Sequence, residues 1–258
     1  MKQILFLLAV FPLLFSGCSM NTGNNAVDWD NPDNYTRERK DAAIRTKSAE
    51  DADKKMRNVI ETVWKNASIQ EKEAAYYYTK ESGYVNEPLR GLPYSGNKGR
   101  DSKKDIKNLT GMINKSSYDF DIWVQRGAGT INVESIFGIN LKNAGIAEAK
   151  KFLTGKTGVE PAFASCGNGD RLNFSSSDVI YNIYCPKGTK MLYCEPFSAF
   201  AGGNTDGKNG LLWDGKAQAK KIGYEAELLL QRSSKFRVTK VEKTESKWYI
   251  DMEVIGQL

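Results

Sequence analysis

Hydrophobic residues recur at helical spacing through the first half of the chain and at strand spacing through most of the second. Met56, Val59, Ile60, Val63 and Trp64 form one helical stripe, and Ser48 with Asp51 supplies a capping signal ahead of it. Ser68 and Glu71 repeat that signal before a second helix carrying Ala74, Ala75, Tyr77 and Tyr78. A shorter element holds Tyr84, Val85, Leu89 and Arg90, and another helix carries Ile106, Leu109, Met112 and Ile113 behind Ser102 and Asp105. At 121–126 the pattern changes to strand, with Trp123 and Val124 running into Gly127-Ala128-Gly129. One more helix is readable at 146–153, closed by Gly155. Strands are predicted at 161–165, 179–184, 191–193, 224–230, 235–241 and 248–254, and a long Gly-, Asn- and Lys-rich loop, 202–223, enters the fourth of these. Helices first and strands later imply an α+β fold rather than a parallel βαβ sheet.

The N-terminus has a pattern of its own. Lys2 precedes an apolar run at 4–15, and Ser16-Gly17-Cys18 places small residues before a cysteine, the layout of an export signal. Leu14-Phe15-Ser16-Gly17-Cys18 also resembles a bacterial lipoprotein cleavage box, in which Cys18 would carry the lipid. The expected division is a signal at 1–18, a polar tether at 19–47 and a folded domain at 48–258. The expected location is the cell envelope through a lipid anchor, or secretion. No other apolar run approaches the ~20 residues that cross a bilayer.

Composition changes the picture mainly through one absence. The 258 residues contain no histidine, which excludes Ser-His-Asp and Cys-His hydrolases, His-ligated zinc and histidine general bases. Chemistry must run on carboxylates, Ser, Tyr, Lys, Arg or a bound small molecule, and no metal is expected. The 37 basic residues are interleaved with 31 acidic ones, so no nucleic-acid footprint is expected. Cys185 and Cys194 flank a turn at 186–189 and could face each other as a disulfide; alternatively Cys166, Cys185 and Cys194 are small buried apolar side chains. Glu225 and Glu227 open the predicted strand at 224–230, where alternation would place both on one side roughly 7 Å apart. Such a pair is either a solvated acidic face or a working site.

Five segments, read in order, favour the working site. Tyr78-Thr79-Lys80-Glu81-Ser82-Gly83-Tyr84-Val85-Asn86-Glu87-Pro88-Leu89-Arg90-Gly91 resembles the Y-T-x-x-S-x-Y-x-x-N-x-x-L-R-G helix region of bacterial mono-ADP-ribosyltransferase exoenzymes. Val124-Gln125-Arg126-Gly127 resembles that family's V-Y-R-G strand, and Phe163-Ala164-Ser165-Cys166 its F-x-S-T-S strand. Ile183-Tyr184-Cys185-Pro186-Lys187-Gly188-Thr189 resembles the I-x-V-P-K-G-T hairpin, and Glu225-Ala226-Glu227-Leu228-Leu229-Leu230 the E-x-E-x-L-L strand. The segments run from Tyr78 to Leu230, and the resemblance covers about 50–258.

The resemblance implies an ADP-ribosyltransferase-like fold, a helical layer packed on two antiparallel or mixed sheets that form an NAD cleft. It implies NAD as substrate and a protein as second partner, of the host cytoskeletal or small-GTPase kind. Glu227, Glu225, Ser165 and Arg126 take the catalytic positions, with Glu225 in the place that goes with arginine as acceptor. Cofactor contacts fall on Arg126, Arg90, Ser165, Glu227, Gly127, Asn86 and Phe163, with Arg171 and Lys187 as loop cations that are either further phosphate contacts or solvated surface. The sequence departs from the family at Cys166, where Thr is usual, at Gly167, which replaces the second Ser, and at Ala162, where some relatives carry Asn. The implied activity is transfer of ADP-ribose from NAD to an arginine of a target protein; the alternatives are an NAD glycohydrolase and a surface binding module without turnover.

Overall fold

The computed structural model describes residues 29, 31, 35–96, 99–168, 176–201, 210–211, 226–244 and 246–258. Four helices form the front layer, as the apolar stripes require: α2 (Ala49–Asn66), α3 (Ile69–Lys80), α4 (Gly83–Leu89) and α5 (Ser102–Asn114), preceded by the short α1 (Arg37–Ala42). Ser48 caps α2, its hydroxyl accepting from the Asp51 N–H at 3.1 Å. Ser68 and Glu71 complete a reciprocal capping box at α3. At α5 the cap is Asp101 rather than Ser102. The predicted stripe of α2 is buried at Met56, Ile60, Val63 and Trp64. Trp64 stacks on Phe197 with ring centroids 4.0 Å apart, which fastens this layer to the 3-10 turn Glu195–Phe197.

The remaining elements are β1 (Ile122–Ala128), α6 (Thr130–Phe137), α7 (Ile146–Leu153), β2 (Thr157–Glu160), β3 (Ala164–Asn168), β4 (Val179–Cys185), β5 (Met191–Tyr193), β6 (Leu228–Leu230), β7 (Ser234–Lys243) and β8 (Trp248–Gly256). The strands make one eight-stranded order, β2-β7-β8-β4-β1-β3-β6-β5. Only β4 and β8 run parallel among the described pairs, so the sheet is mixed. The expected two sheets are joined through β3: its Gly167 and Asn168 pair with β1, whereas Ala164, Ser165 and Cys166 pair with β6.

Four expectations are corrected. The strand read as 161–165 begins only at Ala164, and the strand read as 224–230 begins at Leu228. Ala226 adopts φ of 42°, a left-handed conformation that interrupts alternation, so the same-side placement of Glu225 and Glu227 does not follow. Helix α6 and strand β2 carry no sequence signal strong enough to find them. The first is a short apolar run closed by Gly138 at φ 79°, the second a four-residue edge strand with two exposed positions.

The fourth correction concerns the tether. From Tyr35 onward that polar stretch packs on the sheet: Tyr35 is buried, its hydroxyl donates to the Val254 carbonyl at 3.1 Å, and Ile44 bridges Ile122 in parallel. Arg39 donates twice to Asp121, at 2.6 and 2.7 Å, and Lys40 pairs with Glu253. Charges that read as solvent-seeking are thus ion-pair partners of acids on β8 and just ahead of β1. The expected signal and Cys18 lie outside the described residues, and among the described residues no helix is long and apolar enough to cross a membrane. Cys166, Cys185 and Cys194 are separate, buried thiols, in line with the apolar alternative, and burial pushes the Cys166 thiol up to about 12.

Candidate active site

Helix α4, the end of β1 and the start of β3 converge on a cleft of about 310 Å³ lined by Tyr78, Ser82, Gly83, Asn86, Glu87, Arg90, Arg126, Gly127 and Ser165. Five of these nine are residues anticipated from sequence. That volume is within the range of small-molecule sites. Its lining comes from the end of α3, from α4 and its flanking residues, and from β1 and β3.

Arg126 stands opposite Tyr181 on β4, and its Nη1 donates to the Ser165 carbonyl at 2.9 Å. The guanidinium therefore ties β1 to β3 at the point where the two halves of the sheet meet. Asn86 is buried, and both ends of its amide are engaged: Nδ2 donates to the Tyr78 hydroxyl at 2.9 Å and Oδ1 accepts the Phe163 N–H at 3.2 Å. Asn86 thus joins α3 and α4 to the approach to β3. Phe163 is not at the cleft surface; it is fully buried, edge-on to Tyr78 with centroids 5.9 Å apart.

Arg90 caps α4 and is followed by Gly91 at φ 74°, a turn that leaves the arginine at the helix end. It lines the cleft and forms a two-pronged pair with Glu160. Gly83 is the first residue of α4. A Cβ there would lie 2.8 Å from the ring of Tyr94, whose hydroxyl donates to Glu81.

Glu227 is buried, and it enters just ahead of Leu228, which pairs with Cys166 on β3 and Tyr193 on β5. Its backbone carbonyl accepts the Cys194 N–H at 2.9 Å. Tyr78 and Cys166 feel Glu227 and Arg126 in opposite senses. Burial raises both groups most, the carboxylate of Glu227 raises them further, and the guanidinium of Arg126 opposes it. The negative and positive groups of the site thus act on the same two buried side chains.

Glu225 and Arg171 lie outside the described residues. In the loop 202–223 only Gly210 and Leu211 are described, and Leu211 packs against the main core. Lys187 belongs to a different place: its N–H donates to Asp121 at 2.6 Å, and it does not line the cleft. Tyr78, Ser82, Gly83 and Glu87 were not singled out from sequence as contacts, although all four lie inside the first quoted segment. Glu160 lies outside every quoted segment.

The family model of the ADP-ribosyltransferase exoenzyme matches residues 46–255. The chain belongs to the ADP-ribosyltransferase exoenzyme family. Solved structures similar to this exoenzyme include C3stau2 from S. aureus with NAD, at 21% identity and TM-score 0.62, covering 82% of this chain and 99% of that one. Plx2a, an ADP-ribosyltransferase toxin from Paenibacillus larvae, is 19% identical with TM-score 0.62 over 81% of this chain and 96% of its own. The Clostridium limosum C3 exoenzyme is 19% identical with TM-score 0.61 over 83% and 97%. At these identities the likeness is one of fold. Comparison with curated proteins gave no match. Among the described residues of the exoenzyme no cluster of His, Cys, Asp or Glu is suited to hold a metal ion.

Proposed function

We propose that this exoenzyme transfers ADP-ribose from NAD to an arginine side chain of a target protein. The supporting observation is that Arg126, Ser165, Arg90, Asn86 and Gly127, drawn from three separate segments of the chain, line one cleft, while Glu227, buried and not itself among the lining residues, acts electrostatically on Tyr78 of that lining. Two guanidiniums suit the diphosphate of NAD, since a planar fork matches phosphate oxygens. The bond to be cleaved joins ribose to a positively charged nicotinamide, which leaves neutral with the bonding electron pair and needs no general acid. Positive charge then builds on the ribose, and Glu227 is the carboxylate that stabilises it. Ser165 orients Glu227. The acceptor arginine is protonated in water; Glu225 takes its proton as its nitrogen attacks the ribose carbon. This division of labour requires no histidine.

The reading extends to a protein lipid-anchored at Cys18 or secreted, whose target is a host cytoskeletal protein or small GTPase. It is tested by incubating the chain without residues 1–18 with labelled NAD and a eukaryotic lysate, then mapping the label. Label on an arginine is the expected result. Label on another residue type refutes the acceptor, and rapid NAD breakdown without any label identifies a glycohydrolase.

Two substitutions refine it. Glu225→Gln is expected to collapse transfer to arginine while slow NAD hydrolysis survives; equal loss of both would mean that the two glutamates act together on NAD. Arg126→Lys is expected to weaken NAD binding at least about tenfold, because an ammonium cannot both hold the Ser165 carbonyl and present a planar fork. An unchanged dissociation constant by calorimetry would take Arg126 out of the NAD site.

A further inference from the structure

Arg90 faces the cleft with one edge of its guanidinium already occupied. Glu160, the last residue of β2, is 2% exposed, and both of its carboxylate oxygens are engaged twice. Oε1 accepts from Arg90 Nε at 3.1 Å and from the Ala162 N–H at 3.1 Å, and Oε2 accepts from Arg90 Nη2 at 3.1 Å and from Asn132 Nδ2 at 3.2 Å. A carboxylate sunk this deep is costly unless fully paired, and this one is. Its partners come from three places: the end of α4, the first turn of α6, and the turn that leads into β3 and Ser165.

The geometry distinguishes this pair from an ordinary surface bridge. A bidentate contact through Nε and Nη2 fixes the guanidinium plane as well as its position. The remaining N–H groups lie on the opposite edge, away from the buried carboxylate, while Arg90 itself is 22% exposed and lines the cleft. The carboxylate also offsets part of the guanidinium charge, so the arrangement sacrifices raw attraction for an anion and gains a fixed direction. That exchange suits a ligand whose phosphates must be held in one register.

We propose that Glu160 is a positioning residue, aiming the free edge of Arg90 at the diphosphate of NAD. The inference rests on reading the cleft as the NAD site. It makes Glu160 a group that acts on NAD only through Arg90, and its effect is on binding common to ground and transition states. Loss of Glu160 should therefore raise KM and Kd for NAD while kcat for NAD cleavage stays within about threefold.

The test compares wild type, Glu160→Gln, Arg90→Ala and the double variant by calorimetric Kd for NAD, steady-state NAD cleavage and thermal melting. Glu160→Gln is expected to weaken NAD about tenfold, approaching the Arg90→Ala value, and the double variant should bind no more weakly than Arg90→Ala alone. Glu160→Gln binding NAD within twofold of wild type, while Arg90→Ala binds weakly, would leave Glu160 a purely structural anchor and overturn the proposal. Additive losses in the double variant would also overturn it, since Glu160 would then act independently of Arg90. Glu160→Asp keeps the charge and provides the comparison if Glu160→Gln does not fold: a severalfold rise in Kd with kcat kept supports the positioning role, and a wild-type Kd refutes it. If neither Arg90→Ala nor Arg126→Lys changes the Kd, the NAD reading of the cleft has failed and the role of Glu160 falls with it.

Discussion

Glu227→Gln is expected to reduce both NAD hydrolysis and ADP-ribose transfer by at least about a hundredfold with melting temperature nearly unchanged. The substitution keeps shape and removes one negative charge from a buried position whose field acts on the same side chains as that of Arg126. Removing one preorganised group that meets developing charge costs about two to three orders of magnitude in rate. The fold should tolerate the change, because the backbone bond from Cys194 to the Glu227 carbonyl does not involve the side chain. Parallel measurement of NAD cleavage and thermal melting checks both halves. A rate within a few-fold of wild type would remove Glu227 from the catalytic role.

The glutamate could be found from sequence, but its local geometry could not. Alternation along an extended strand is a rule about regular backbone, and Ala226 at φ 42° breaks it just before Glu227. Front-layer helices were legible because their apolar stripes repeat over several turns and two begin at the capping side chains read from sequence, Ser48 and Ser68, whereas α5 begins at Asp101, one residue ahead of the expected Ser102. Strand β2 was not, since Thr157, Gly158 and Val159 are too few to carry a period and Val159 points outward at an unpaired edge. Among site residues, Arg126, Ser165 and Arg90 were readable by resemblance because each sits in a short segment with neighbours that match. Glu160 was invisible for the opposite reason: its role comes from Arg90, 70 positions away, and from Asn132, 28 positions away. Long-range pairing of a lone acid leaves no local pattern.

The second large effect concerns stability. Asp121→Asn is expected to destabilise the fold by roughly 2–3 kcal/mol, about 5–10 °C in melting temperature, and to free the segment around α1 for proteolysis. The Asp121 carboxylate accepts four hydrogen bonds, two from Arg39, one from the Tyr184 hydroxyl at 2.8 Å and one from the Lys187 N–H. Its side chain is 13% exposed and that of Arg39 36%, so solvent screening holds the loss below that of a fully buried pair. Burial pushes this carboxyl up, but Arg39, Lys187 and Tyr184 together outweigh it and hold it below the ordinary value of 3.8. A depressed folded-state value means that the stabilisation is complete above the unfolded value and is lost as pH falls through the folded one. The stability gap between wild type and Asp121→Asn should therefore be constant near neutrality and shrink below about pH 4. A gap that persists unchanged at pH 2.5 in denaturant titrations would show that shape, rather than charge, holds this corner.

The place of β8 has a kinetic consequence. It lies between β7 and β4, and β4 in turn flanks β1, which carries Arg126. Strand β4 lacks its parallel neighbour until residues 248–256 have been synthesised, some 63 positions after its own last residue. The front helices can form from local contacts within microseconds, whereas closing this pair brings together positions such as 179 and 248, 69 residues apart. During synthesis the sheet on both sides of β4 is consequently incomplete until β8 has emerged. The front helices are thus made well before the strand that completes the sheet around β4 and its neighbour β1, which carries Arg126.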